Sequence, residues 1–424
     1  MPAGDHRFGR YFTISIACLV VLALLAPAFD LLSLDGFVND KTYVLILQDN
    51  SEIRPTGGLI GCIGLLTVHD GNVKDVHLAY AYNNSTWTGD VVNMSIPDSL
   101  TQFYDVDSVR LYDSNVQYDF ASFAPTMLSN VEHVTGQKVD GVIAVDFTAV
   151  EAIMRITGPI SVSGEVITSR NIVDIAHYYS GKSEAGDTAP LINLLSSLAL
   201  KIVQIAHDAS LPVKLDLVNA VQQMGAEKHL FFYVPGDPLT ADFAGASATP
   251  PTDFISVVDM NMGSQKADFG VYRSIDYHVQ LLANGSAVAN LTIAYNNTCF
   301  WDYNLFQTVL VPPGAEIMNA TTTAQDFNGP LSTGGANFTT FSTSVTVPAN
   351  ETDTITYLYT LPHVVSSSGV NERYDLYVQK QAGINQYTFN PEVQLPDGAR
   401  LLASQNAEAN QTSTGDIHLE MVYR

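Results

Sequence analysis

Asn50-Ser-Glu-Ile-Arg-Pro-Thr-Gly-Gly58 sets one arginine beside two glycines in a chain of 424 residues that holds only 19 Lys and Arg. Arg54 has the fork geometry to clamp an anion, and Gly57 and Gly58 would let the backbone approach it closely. The same residues also suit an arginine paired to Glu52, with the glycines forming a tight turn or bulge. Asp113, Asn115 and Asp119 follow at spacings of two and four. Oxygen ligands so placed could hold Mg²⁺ or Ca²⁺, although D-x-N-x-x-x-D lacks the glycine and final glutamate of a calcium loop. The competing reading makes Asp119 the N-cap of the next helix. Asp146 reads as a helix cap. The ten histidines are scattered without an H-x-H or H-E-x-x-H pattern. No G-x-S-x-G elbow, Walker loop or dinucleotide fingerprint occurs, so an ordinary hydrolase or dehydrogenase has no sequence support.

The elements that must position these residues fall into two patterns. Thr42 to Leu47, Leu59 to Val68 and Val73 to Ala81 read as strands of a meander, with turn chemistry at His69-Asp70-Gly71-Asn72. Tyr82 to Gln102 is polar and reads as a surface loop. Helix and strand then alternate: a helix over Phe120–Thr135 stopped by Gly136, a strand over Val139–Val145, and a helix over Phe147–Thr157 stopped by Gly158-Pro159. A short hairpin is expected around Gly164, then helices over 169–180, 189–209 and 213–224, and a strand over His229–Val234. This is the pattern of a sheet covered by helices. Pro235 to Pro251 reads as a tether. From about Val271 onward, short segments of period two separated by turn residues point to an antiparallel β-sandwich. The expected domains are 1–35, a cytoplasmic tail and membrane anchor; 36–268, α/β; and 269–424, the sandwich.

Composition bounds the partners. A formal net charge of -24 argues against a nucleic-acid partner, which needs a basic footprint. Tyr11 to Phe29 carries no charge and follows Arg7 and Arg10, so it reads as a single transmembrane helix for a hydrocarbon core of about 30 Å, with its positive flank inside. A cleaved signal peptide ending at Ala26-Pro27-Ala28 is the competing reading. Either places the rest of the chain outside the cytoplasm. Cys18, Cys62 and Cys299 do not make a disulfide framework. Glycosylation acceptor sequons occur at Asn83, Asn84, Asn93, Asn284, Asn290, Asn296, Asn319, Asn337, Asn350 and Asn410, seven of them from Asn284 onward.

The Asn50–Gly58 motif resembles the opening of the prokaryotic surface family called domain of unknown function 4012. Further matches follow in order: Asp113-Ser114-Asn115 with Asp119-Phe120, the run Val139–Asp146, Ile156-Thr157-Gly158-Pro159, Asn261–Asp268 and Tyr377–Gly383. The order of elements is also distantly similar to LytR-CpsA-Psr domains, which transfer polyprenyl-diphosphate-linked glycans. That resemblance implies Arg54 as a phosphate ligand, with Arg110 and Lys266 as further phosphate-binding candidates, and Asp113 or Asp119 as a ligand of Mg²⁺. Tyr112 stands where the motif usually has an arginine. Two functions stay open: an envelope protein that binds, with or without transfer, a lipid-linked glycan diphosphate, and a non-catalytic surface structural or adhesion protein.

Overall fold

The computed structural model describes residues 40–69, 72–81, 89–104, 106–184, 188–236, 253–406 and 410–424. The expected membrane segment Tyr11–Phe29, Cys18, Asn83, Asn84 and most of the tether 235–251 lie outside the described residues. Two compact units divide the chain: one takes the described residues of 40–49, 56–96 and 106–236, the other 50–55, 97–104 and 253–424.

β1 (Lys41–Arg54), which belongs to the first unit up to Asp49, forms the expected meander with β2 (Gly57–His69) and β3 (Asn72–Tyr80). The short strands β4 (Val91–Val92) and β5 (Val109–Arg110) pair with each other. The sheet is completed by β6 (Gly141–Asp146) and β9 (Leu230–Tyr233), in the order β3-β2-β1-β6-β9. β1 and β6 run parallel, with Leu45 opposite Ile143, Leu47 opposite Val145 and Gln48 opposite Asp146. Strands covered on both faces carry continuous apolar runs, as Tyr43–Leu47 and Val142–Val145 do.

Helix boundaries follow local chemistry. α1 (Asp98–Tyr104) belongs to the second unit, and α2 (Phe120–Thr135) opens where the Asp119 carboxylate accepts from Ser122 N at 2.8 Å. It closes at Gly136, whose φ of 67° is one that glycine adopts without penalty. α3 (Phe147–Thr157) opens on Asp146, which accepts from Ala149 N at 3.0 Å. The hairpin of β7 (Ile160–Val162) and β8 (Glu165–Ile167) follows, then α4 (Ile172–Glu184), α5 (Ala189–Asp208) and α6 (Leu211–Ala226). α5 is long and apolar enough to cross a membrane by length and composition, but Leu191, Leu194, Leu198 and Ala206 are buried within this unit.

The second unit is a sandwich. Its strands are β10 (Asp253–Asn261), β11 (Val271–Leu281), β12 (Ala287–Asn297), β13 (Tyr303–Val311), β14 (Glu316–Thr322), β15 (Phe327–Gly334), β16 (Thr339–Val347) and β17 (Thr352–Leu361). β18 (Val365–Ser368), β19 (Asn371–Gln379), β20 (Tyr387–Gln394), β21 (Leu401–Gln405), β22 (Gln411–Ser413) and β23 (Ile417–Tyr423) complete it. One sheet runs β15-β16-β13-β10-β19-β23-β21 with β18 on β19, the other β14-β17-β12-β11-β20-β22. Inward residues of both, among them Tyr277, Tyr295, Val309 and Leu376, share one core.

Three sequence expectations change. The sandwich starts before residue 269: β10 pairs with β13 and β19, and all nine of its residues are buried. A strand buried on both faces lacks the alternation by which the later strands were recognised. The sandwich is also not purely antiparallel, because β10 with β19 and β11 with β20 run parallel. Finally, the supposed loop 82–102 contains β4 and the start of α1. A seven-residue helix is marginal alone; here Phe103 and Tyr104 pack on the Phe306 ring at 5.6 and 5.7 Å, and the Tyr104 hydroxyl bonds Ser344.

Candidate functional site

Arg54 does not present its guanidinium to a ligand. One Nη lies 2.9 Å from Glu52 Oε1, and the other donates to the carbonyls of Ile53 at 3.1 Å and Asn261 at 2.7 Å. Arg54 is 8% exposed and Glu52 4%. Glu52 also faces Lys266 Nζ at 3.9 Å. The remaining bonds of the segment are structural: Ile53 N donates to Asp268, Asn50 Nδ2 to the Gly383 carbonyl, and Gln381 Nε2 to the Arg54 carbonyl. Three motifs separated by hundreds of residues, 50–54, 261–268 and 381–383, thus meet at one buried polar node of the second unit. The expected phosphate role of Arg54 and Lys266 is corrected accordingly: the Arg54 guanidinium is buried with three of its five N–H donors given to a carboxylate and two carbonyls, and Lys266 faces the same carboxylate. Lys266 pairs with Glu52, and Asp268 is held by Arg273 at 2.7 Å. Arg110, in the first unit, donates to the Gly89 carbonyl.

The acidic candidates do not assemble into a metal centre. Asp119 serves as the cap of α2. Asp113 closes the short turn Leu111–Asp113, and the Asn115 side-chain amide donates to the Gly58 carbonyl at 2.8 Å. Among the described residues no three His, Cys, Asp or Glu side chains are grouped to hold a metal ion, so no such group surrounds the expected Mg²⁺ ligands Asp113 and Asp119. Each sequon asparagine among the described residues, Asn93, Asn284, Asn290, Asn296, Asn319, Asn337, Asn350 and Asn410, is exposed.

What the sequence did not reveal is a cavity of about 200 Å³ inside the first unit. Leu45 and Leu47 of β1 and Ile143 and Val145 of β6 form its floor; strand alternation puts each pair on one face, and the parallel register sets the pairs side by side. α5 forms a wall with Leu191, Leu195, Leu198, Ala199, Ile202 and Val203, which recur at helical spacing. α4 adds Ile172, Ala176, His177 and Ser180. Cys62 lines the space too, and burial pushes its thiol up to about 12, so it stays protonated at neutral pH.

The polar part of this lining lies where β1 and β6 end. Gln48 and Asp49 stand at the end of the paired part of β1, and Asp146 at the end of β6. His177 Nε2 meets Asp49 Oδ2 at 2.8 Å, its ring edge-on to Phe147 at 5.8 Å. Asp146 accepts from Ala149 N and faces His229 Nδ1 at 2.6 Å, both side chains being 1% exposed. The crevice beyond the carboxyl ends of parallel strands is the usual ligand position in α/β sheets. Asp49 and His177 are 128 residues apart, and no spacing rule connects them. The available signal was α5, whose apolar residues exceed what one buried stripe requires.

Residues 39–179 match the family described as "Protein of unknown function (DUF4012)", which bears out the resemblance over the motifs from Asn50 to Pro159. No curated protein matches the sequence. Solved structures with some likeness include protein gbs0355 of Streptococcus agalactiae, at 12% identity and a TM-score of 0.29, over 48% of this chain and 72% of that one. Protein lpg2210 of Legionella pneumophila follows at 11% and 0.24, over 41% and 71%. An M1 zinc metallopeptidase of Deinococcus radiodurans matches at 10% and 0.22, over 36% of this chain and 42% of that one. The chain therefore spans less than half the metallopeptidase's length, and at such scores none of these likenesses carries an argument.

Proposed function

We propose that this chain, a DUF4012 protein over residues 39–179, binds the apolar chain of a membrane lipid within its α/β unit, on the outer face of the membrane to which Tyr11–Phe29 ties it. The cavity carries the reading. An apolar lining around 200 Å³ of unfilled space is unfavourable to leave exposed to water. An alkyl or prenyl segment would cover that lining. A dry cavity of about 150 Å³ already accommodates a benzene ring, so this one suits a length of chain better than a bulky ring system. The five-stranded sheet faced by helices is compatible with the LytR-CpsA-Psr-like architecture, which stays part of the proposal. Glycan transfer is not carried forward, because its proposed phosphate ligand, Arg54, is bonded to Glu52.

The test uses the full chain in native membrane vesicles, with a photoreactive dodecyl diazirine probe and peptide mapping of the label. Label concentrated on α5 and competed by unlabelled alkane-chain lipid supports the reading. Ala199→Trp, which fills the space, should remove that label while leaving the unfolding transition in place. Label scattered over the surface without competition refutes it.

A second reading, an outer-surface structural or adhesion protein, is favoured by the exposure of every described sequon asparagine. Glycopeptide mapping of the protein from its own host would decide whether any of them is occupied; bare asparagines throughout would remove this support.

A further inference from the structure

The second reading, a protein of the outer surface, is the premise here. Four exposed aromatic side chains sit at one end of the sandwich: Phe269 just before β11, Tyr272 on it, and Phe300 and Trp301 in the connection from β12 to β13. Phe300 is 90% exposed and Tyr272 54%. The two segments are tied together, since Thr298 Oγ1 donates to the Gly270 carbonyl at 2.8 Å and Cys299 Sγ to that of Ala267 at 3.3 Å. The Asn297 side-chain amide adds a third segment by reaching the Val347 and Pro348 carbonyls at 3.1 Å. An apolar cluster of this kind left in water marks a surface that something covers.

Two glycan acceptor sequons stand at the same end. Asn296 pairs with Tyr272 of β11 on one side and Thr352 of β17 on the other. Residues directly opposite in an antiparallel pair share a face with Cβ atoms about 5 Å apart, so the exposed Asn296 amide and the exposed Tyr272 ring are neighbours on the outer side of the sheet. Thr352 is itself the third residue of the sequon Asn350-Glu351-Thr352, whose Asn350 lies exposed in the turn before β17. Asn290, six residues earlier on the same face of β12, lies instead opposite His278, which pairs with Glu392 at 2.7 Å.

We propose that Asn296 carries an N-linked glycan whose first sugar packs on the Tyr272 ring, and that this glycan and a second at Asn350 cover the aromatic end of the sandwich. A pyranose presents C–H groups on one face, and these suit the electron-rich face of a tyrosine ring. In the transfer, Asn296 Nδ2 forms a bond to the anomeric carbon of a lipid-phosphate-linked oligosaccharide. The bond from that carbon to the phosphate oxygen breaks, the lipid phosphate leaves, and the amide nitrogen gives up one proton to solvent. This chain supplies only the acceptor; a transferase of the host supplies the catalysis.

The test takes the full chain from its own host's membranes, first by glycopeptide mapping and then by a thermal-unfolding cycle over wild type, Tyr272→Ala, Asn296→Gln and the double variant. Both positions are exposed, so the substitutions leave the core alone. Sugar is expected on Asn296 and Asn350. Tyr272→Ala should lower the unfolding midpoint by about 1–3 °C in the glycosylated protein and leave it unchanged in the Asn296→Gln background, the non-additivity of a direct contact. The same cycle with Asn290→Gln should give additive shifts. Additive shifts at Asn296, or a bare Asn296 or Asn350 beside glycans elsewhere on the chain, overturn the inference and leave the surface-protein reading with its support. A chain bare throughout overturns the inference and removes that support as well. A dimer in light scattering that Phe300→Ser dissolves would show the aromatics covered by a second copy and likewise overturn it.

Discussion

Arg54 and Glu52 lie two residues apart on one strand and meet at 2.9 Å, their side chains 9% and 5% exposed. Residues i and i+2 of a strand share a face, so the pair is built into the local geometry and then sealed by burial. Removing Arg54 takes the nearest counter-charge from the buried Glu52 carboxylate, whose Lys266 neighbour stands farther off at 3.9 Å and is a third exposed. Arg54→Ala is expected to destabilise the second unit by about 3–5 kcal/mol. Urea unfolding of the full chain checks this. Pairing Arg54→Met with Glu52→Gln should regain much of the loss, because an apolar and a neutral side chain need no counter-charge. A loss under about 1 kcal/mol for Arg54→Ala would show that the pair is not a buried ion pair in solution.

Gly57 has a φ of 137°, and an added Cβ would stand 2.5 Å from Gln48 Oε1. Gly57→Ala is expected to cost about 1–3 kcal/mol, with the Gln48 side chain displaced from its bond to the Thr56 carbonyl. Gly136, with φ 67° and nothing within 4 Å of an added Cβ, is the control. Alanine there should cost about 1 kcal/mol, from backbone strain alone. Equal losses at the two positions in thermal unfolding would contradict this account.

Filling and enlarging the cavity should act in opposite directions. Ala199→Phe is expected to raise the stability of lipid-free protein by about 1 kcal/mol. Leu198→Ala, at a side chain 3% exposed, should lower it by about 2–5 kcal/mol. Added chain ligand should partly restore Leu198→Ala and leave Ala199→Phe unaffected, as read by the shift in unfolding midpoint.

Asp253 sets a pH dependence in the sandwich core. Burial pushes its carboxyl up to about 6, although the Tyr374 and Tyr277 hydroxyls donate to it at 2.5 and 2.8 Å. The folded value lies above the unfolded value of about 3.9. The folded state therefore holds the proton more tightly, and the stability this gives is complete below about pH 4 and lost as pH rises through about 6. Relative to Asp253→Asn, which does not titrate, the wild type should lose on the order of 2–3 kcal/mol between pH 4 and pH 7. A difference that stays constant with pH would contradict the assignment.

Much of the fold was legible because it is written locally. Asp119 and Asp146 open their helices and Gly136 and Gly158 close theirs at the positions read from the sequence, since capping depends only on residues within one turn. The period-two segments after Val271 became strands for the same reason. β10 escaped, because burial on both faces erases the alternation that identifies a half-buried strand. α1 escaped as well, its stability coming from Phe306 and Ser344 in distant strands.

The candidate site was legible only as fragments. The sequence by itself determined the polar motifs at Asn50–Gly58, Asn261–Asp268 and Tyr377–Gly383, the acidic charge balance and the limits of α2 and α3. Only the tertiary structure decided that Arg54 belongs to Glu52 and Asn261, and that Asp49 meets His177 beside an apolar cavity. Capping and alternation act over a few residues and leave a mark in the chain. The partner of a buried charge, and the space left between a sheet and its helices, depend on which distant segments pack together, and no local spacing encodes that.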